Sequence, residues 1–321
     1  MIGNLLAGLA LSTLLAAPAA RAQQSSSSLQ ARVEALEAAV STLQGQVTSL
    51  QTKVSNQQAQ IQTLESIVSE LYGQVGPVLA LAPYVKVDPN EVNGLSGPHV
   101  FFTGVNVHIR NGSGLTENSL NGLGNLIVGY NEVDVGDPAP DRRNGSHNLI
   151  VGRGHEYTSW GGFVTGRFNN ILGPYCSVSG GESNEASGEY ASVGGGSLNV
   201  ASGFGSSIGG GISNTASGKY SSVSGGWSNV ASNVWSSVSG GWSNQATGQY
   251  SSISGGYNNV ASGSGSSVSG GGYSTASNAF ASVSGGHQSV AAGEYSSVSG
   301  GDNRAVSGQY DWAGGALFQD F

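Results

Sequence analysis

The sequence predicts a coiled-coil α-helical stalk followed by an all-β solenoid, on three observations. Apolar residues step by four and three along 29–75. Nine segments of fifteen residues, starting at 175, 190, 205, 220, 235, 250, 265, 280 and 295, can be laid beneath one another. Glycine supplies 53 of 321 residues while charged residues make up only 9%. Glycine at that level without a collagen triplet marks either a fold rich in tight turns or a disordered chain. Disordered chains are rich in charge and poor in β-branched and aromatic residues, whereas here Val, Ile, Tyr and Trp recur at fixed positions, so the solenoid is the better reading.

Residues 1–22 carry an apolar run from Leu5 to Ala17, ending in the small-x-small tripeptide Ala20, Arg21, Ala22. A run that short reads as a cleavable signal peptide rather than a membrane span, although the usual positive charges before it are missing. The expectation is an exported chain with no membrane span in its mature form. Residues 23–28 read as a linker.

The stalk covers 29–75. Its seam is Leu29, Val33, Leu36, Val40, Leu43, Val47, Leu50, Val54, then Ile61, Leu64, Val68, Leu71 and Val75. Val or Ile at a and Leu at d, with no proline, make a coiled-coil seam that one chain cannot bury by itself. At 1.5 Å per residue the segment is about 70 Å long. β-Branched a positions with Leu at d favour a parallel dimer, and Arg32 at g facing Glu37 at e of the next heptad also suits parallel chains. Gln57 stands at a d position where Leu belongs, and is read as specifying register or oligomer state at a cost in stability.

After Pro77 the heptads stop; 76–98 is read as a neck. Within the nine repeats of 175–309 the third position is always Ser, the fourth Val or Ile, and the sixth and seventh Gly. The twelfth is Ala in eight copies and Val306 in the ninth. The fourteenth is Gly in seven copies and Asn233 or Asn278 in the other two, a pair of residue types that predicts a positive-φ turn there. The Gly-Gly pair predicts a second corner. Each copy is then one solenoid coil, stacked at about 4.8 Å on its neighbours through parallel hydrogen bonding. With so few strongly apolar positions per coil, the core is either narrow or shared with other chains. Residues 99–174 read as irregular earlier coils with a surface loop near 132–144, and "HVFFTGVNVHIRNGSG" (99–114) as the first of them. Residues 310–321 depart from the pattern and read as a terminal cap.

The "SVSGG" and "AS[GN]" punctuation of 160–309 resembles the head repeats of trimeric autotransporter adhesins, the YadA-like β-roll. The resemblance implies a left-handed parallel roll, an intertwined homotrimer in preference to the dimer of the a/d rule, and a role in surface attachment or recognition. A stalk that precedes the roll, without the β-barrel anchor of that family after it, resembles the layout of anchorless mosaic adhesive trimer fibres. Localisation follows as secreted or on the outer envelope of a bacterium, with a cell-surface glycan or protein as ligand; a passive coat that only self-associates is the alternative.

Composition and motifs exclude most chemistry. A formal net charge of -8 with no Lys/Arg cluster argues against nucleic acid as a partner. The single cysteine, Cys176, stands where sibling copies carry Ser or Ala and is read as a small filler. His147 and His155 are eight apart, a spacing without metal-site meaning, so no metal or cofactor is expected. Glu182, Glu185 and Glu189 occupy variable positions of one coil and read as solvated decoration rather than a catalytic carboxylate pair, so no enzyme activity is expected. An ice-binding solenoid would call for a flat Thr-rich face where this repeat has Ser. The one candidate surface is the eighth position, which varies freely and so faces outward: Ile212, Trp227, Trp242 and Tyr257 in four successive coils. Stacked coils align them into an apolar ridge, which either packs against a neighbouring chain or receives a ligand.

Overall fold

The computed structural model describes residues 3–133 and 142–315, with side chains in the first helix for Arg21 and from Gln23 onward. Most of the loop expected near 132–144, and the last six residues of the expected cap, lie outside the described residues. The chain divides into two units, 1–107 and 108–321.

The first unit begins with one α-helix, α1, over Gly3–Leu79. It runs through 23–28, read above as a linker, because Gln and Ser there neither break the helix nor cap it. Thr42, Thr48 and Thr63 turn their hydroxyls back onto the carbonyls of Ala38, Gln44 and Ala59 at 2.9 Å, leaving the seam free of polar side chains except Gln57. Every seam residue is exposed, from 40% at Val75 to 63% at Leu36. Among the described residues no helix is long and apolar enough to cross a membrane.

The segment 99–114 does not open as a solenoid coil, although 108–114 belong to the second unit. Its start, His99–Phe102, pairs antiparallel with Val85–Asp88 in a two-stranded sheet, Val85 opposite Phe102 and Asp88 opposite His99. Alternating Val-x-Val and Val-x-Phe patterns suit this hairpin, whose partner strand lies in the stretch read as neck. Hydrogen bonding from Lys86 and from the Asn90 backbone N–H holds the Asp88 carboxyl down at about 2.

The second unit is a parallel β-solenoid. Its two sheets have 13 strands, from Leu126–Val128 to Trp312–Ala313, and 11 strands, from Glu156–Tyr157 to Ala305–Val306. The steps between paired residues show how the stack matures. Leu126 pairs with Leu149 across the insertion; Leu149 with Phe163 and Phe163 with Ser177 across fourteen residues; Ser177 with Ser192, and all later coils, across fifteen. A third line of single parallel bridges joins the eighth positions from Glu182 to Asp302.

The core is narrow and closed within one chain. The fourth-position residues from Val178 to Val298, with Ile150 and Val164 before them, are at most 2% exposed, and the facing Ala186 to Ala291 column is fully buried. Of the two options above, the coil takes the narrow one. A single Val or Ile meets a single Ala across it, and the small second position (Cys176, Ala191, Ser206 and successors) completes the layer.

The corners differ from expectation. The positive-φ residue is the first position and not the fourteenth: Tyr190 has φ 60°, Tyr220 57°, Trp235 57° and Tyr295 57°. It is the third residue of a turn closed by a bond from the second-position N–H to the fourteenth-position carbonyl, as in Ala191 to Gly188 at 3.0 Å. Positive φ at that place is the type II pattern, which normally selects Gly. Glycine at the fourteenth position answers a steric demand instead, one that the stack relieves by local adjustment at Asn233 and Asn278. A Cβ on Gly203 or Gly218 would lie 2.0 Å from the carbonyl oxygen of the same position one coil on. In the Gly-Gly pair the second glycine carries the demand, with φ 84° at Gly196 and 91° at Gly226 and a Cβ 2.0–2.2 Å from the next coil's carbonyl, and only in the last copy does the first, Gly300 at φ 142°, share the positive φ.

Candidate functional site

The surface of each coil follows from its register. Side chains at three, five, eight, eleven and thirteen point away from the core, while two, four, ten and twelve point in. The third-position serines line a shallow groove of about 420 Å³ along Ser177, Ser192, Ser207 and Ser222.

The structure brings the predicted ridge together. Ile212, Trp227, Trp242 and Tyr257 are joined by successive parallel bridges, one per coil. All four are exposed, Trp227 at 53% and Trp242 at 46%. The two indoles stack with centroids 5.7 Å apart and planes 12° off parallel, so each covers a face of the other. The ridge extends past the predicted residues: Gly272 leaves room for the Tyr257 ring, Tyr273 meets that ring edge-on at 5.3 Å, and His287 meets Tyr273 in the same way at 5.8 Å. His287 Nδ1 lies 2.9 Å from a carboxylate oxygen of Asp302 in the following coil.

A second aromatic column runs up the first positions. Tyr175 and Tyr190 stack at 5.4 Å and 6°, Tyr220 and Trp235 at 4.4 Å, Phe280 and Tyr295 at 5.1 Å, Tyr295 and Tyr310 at 5.2 Å. Where Gly205 interrupts the column, Phe204 from the preceding position inserts its ring edge-on between Tyr190 and Tyr220. The Lys219 ammonium sits 5.1 Å above Phe204 and 5.3 Å above Tyr220. At the column's foot the Tyr175 hydroxyl donates to Glu117, whose carboxylate raises the Tyr175 phenol pKa.

The feature that sequence reasoning missed is the tenth position. Asn169, Asn184, Asn199, Asn214, Asn229, Asn244 and Asn259 are fully buried and form one ladder. From Asn184 to Ser274, each tenth-position backbone N–H donates to the side-chain oxygen of the rung before it at 2.8–3.1 Å. Asn214 Nδ2 donates in turn to Gly210 O at 3.0 Å and Gly226 O at 2.9 Å, tying the Gly-Gly corner of one coil to that of the next. The available signal was the recurring "SN" or "NN" after the eighth position. It fades into Ser274, Ser289 and Arg304, and so did not read as invariant.

The remaining candidates are structural in their surroundings. His155 takes a rung of the same ladder: its N–H donates to Asn131 Oδ1 at 2.7 Å, and its Nδ1 lies 3.2 Å from the Asn169 N–H. Burial lowers its pKa against the opposing effect of backbone carbonyl partners. His147 sits at the first position of its coil with φ 58°, and its Nε2 accepts from the Asn111 N–H at 3.2 Å. Burial pushes the Cys176 thiol up to about 11, and its sulfur lies 2.9 Å from Gly188 O. Glu182 pairs with Arg167 at 2.5 Å, apart from Glu185 in a strand and Glu189 in a turn. No group of three or more His, Cys, Asp or Glu is placed to hold a metal among the described residues. Gln57 lies on the exposed seam of α1. No protein-family model matches the chain, and no curated protein matches it.

Proposed function

We propose that the chain is an exported, non-enzymatic fibre protein in which a coiled-coil stalk gathers three chains and the left-handed solenoid presents their contact surface. The observation that carries this reading is the seam of α1. Thirteen Leu, Val and Ile side chains stand exposed at heptad spacing, and each contributes about 1 kcal/mol or more once covered by partner helices. The uniform stack above residue 175 supports the display role, since bulk enters only at positions that leave the core untouched. Adhesion to a cell-surface glycan or protein is then assigned to the eighth-position ridge.

A passive coat that associates only with itself has its own supporting observation. Trp227 and Trp242 cover each other's faces, which leaves ring edges outward and suits packing against protein more than stacking on a sugar ring. Binding of the purified chain to bacterial envelopes and to a glycan array separates the two. The adhesive reading expects binding that falls at least tenfold in the Trp227→Ala/Trp242→Ala double variant. Blank arrays together with ordered self-assembly lost in the same variant would leave the coat.

A further inference from the structure

We propose that Tyr175 and Tyr190 form an oxidative cross-linking site, at which a peroxidase-type oxidant joins the two rings into an intrachain dityrosine. This does not depend on the proposed function. The geometry is set by the solenoid. The two residues occupy the same position of adjacent coils, both with φ near 60° (56° and 60°), and their rings lie nearly parallel with centroids 5.4 Å apart. Tyr190 is half exposed, so an oxidant reaches the pair and the rings have room to pivot edge to edge.

Three other neighbouring pairs in the column lack this pairing of chemistry. Tyr190 meets Phe204, Tyr220 meets Trp235, and Phe280 meets Tyr295. Tyr295 and Tyr310 repeat the stacked tyrosines, at 5.2 Å and 10°. What distinguishes Tyr175 is Glu117, which accepts its phenolic hydrogen bond. Oxidation of a phenol to a neutral radical releases a proton with the electron, and a carboxylate already bonded to the O–H receives that proton without rearrangement. At the other pair the two carboxylates adjacent in sequence are engaged elsewhere: Glu294 accepts from the Gln309 amide at 3.2 Å and Asp311 from the Gly308 N–H at 2.8 Å.

The balance is as follows. Each tyrosine gives one electron to the oxidised peroxidase and one proton, Tyr175 to Glu117 and Tyr190 to solvent. The two phenoxyl radicals couple through their ortho carbons, and each displaced ortho hydrogen moves to oxygen to restore the phenol. Two electrons and two protons are lost in all, and one hydrogen peroxide is reduced to two waters. The product rivets the first regular coil to the second.

The test is to treat the full chain with hydrogen peroxide and a haem peroxidase, using a mixture of isotopically light and heavy chains, and to map dityrosine by mass spectrometry. Cleavage at Glu182, Glu185 and Glu189 separates Tyr175 from Tyr190 unless they are joined, and cleavage at Arg304 does the same for Tyr295 and Tyr310. The expected result is an all-light or all-heavy 175–190 product in at least fivefold excess over 295–310. Glu117→Gln should bring that excess down to parity, with circular dichroism unchanged, and Tyr190→Phe should abolish the product. Equal yields at the two pairs in the wild type, or mixed-isotope products alone, would overturn the assignment.

Discussion

At the scale of single residues, three glycines of two adjacent coils answer to three different conditions, and substitution separates them. Gly218 is crowded, since a Cβ would lie 2.0 Å from the backbone oxygen of Asn233 unless the backbone shifts, as it must at Asn233 and Asn278. Gly226 has neither room nor a permissive φ. Gly225 has its nearest neighbour at 4.0 Å and no left-handed φ. Alanine should therefore cost about 3 kcal/mol or more at Gly226, about 1–2 kcal/mol at Gly218, where Asn233 and Asn278 show that the stack can adjust to a Cβ, and within about 1 kcal/mol of zero at Gly225, measured by urea denaturation. Asn214→Ala strands the N–H of Asn229 and the Gly210 carbonyl, while Gly226 O keeps the Ile212 N–H, and should destabilise by about 2–3 kcal/mol. His155 adds a pH dependence. Its folded pKa lies below the ordinary 6.5, so the unfolded chain binds the proton first. The stability it supports is complete above pH 6.5 and is lost as pH falls through the depressed folded value. Hydrogen exchange around 150–171 should accelerate in that window, and His155→Asn, which restores the common rung, should flatten the response.

Among the elements, the coil is where the sequence was most and least legible. The Val/Ile and Ala columns, the register of 15, the Gly-Gly corner and the eighth-position ridge were readable because each is set by a side chain that must be small, apolar or outward in every copy. The first-position turn was not. Seven aromatics occupy a backbone conformation that bulky residues avoid, at a cost of roughly 1–2 kcal/mol. Ring stacking offsets it by about 0.5–1.5 kcal/mol per pair. A tertiary contact thus overrides a local rule, and the Gly/Asn alternation at the fourteenth position pointed to the wrong residue of the same turn. The hairpin of Val85–Asp88 and His99–Phe102 was missed because its second strand continues into solenoid-like spacing. In α1, Gln57→Leu should raise the melting temperature of the assembly by several degrees while broadening its distribution of oligomeric states, read by native mass spectrometry.

For the whole molecule, the two units place opposite demands on company. The solenoid closes its own core, with the Val/Ile and Ala columns buried in a single chain. The helix does not, since every residue of its seam is exposed. The proposed function accordingly assigns assembly to residues 29–75 and display to 175–309, where the repeat admits variation only on the outside. The most direct test is the solution mass of the purified chain by light scattering over a hundredfold dilution. Each chain weighs 32.3 kDa with its first 22 residues included. The account predicts a particle of three chains that persists on dilution and falls apart when Leu36, Leu43, Leu50 and Leu64 are replaced by Ser. A well-folded, helical single-chain particle at all concentrations would contradict it.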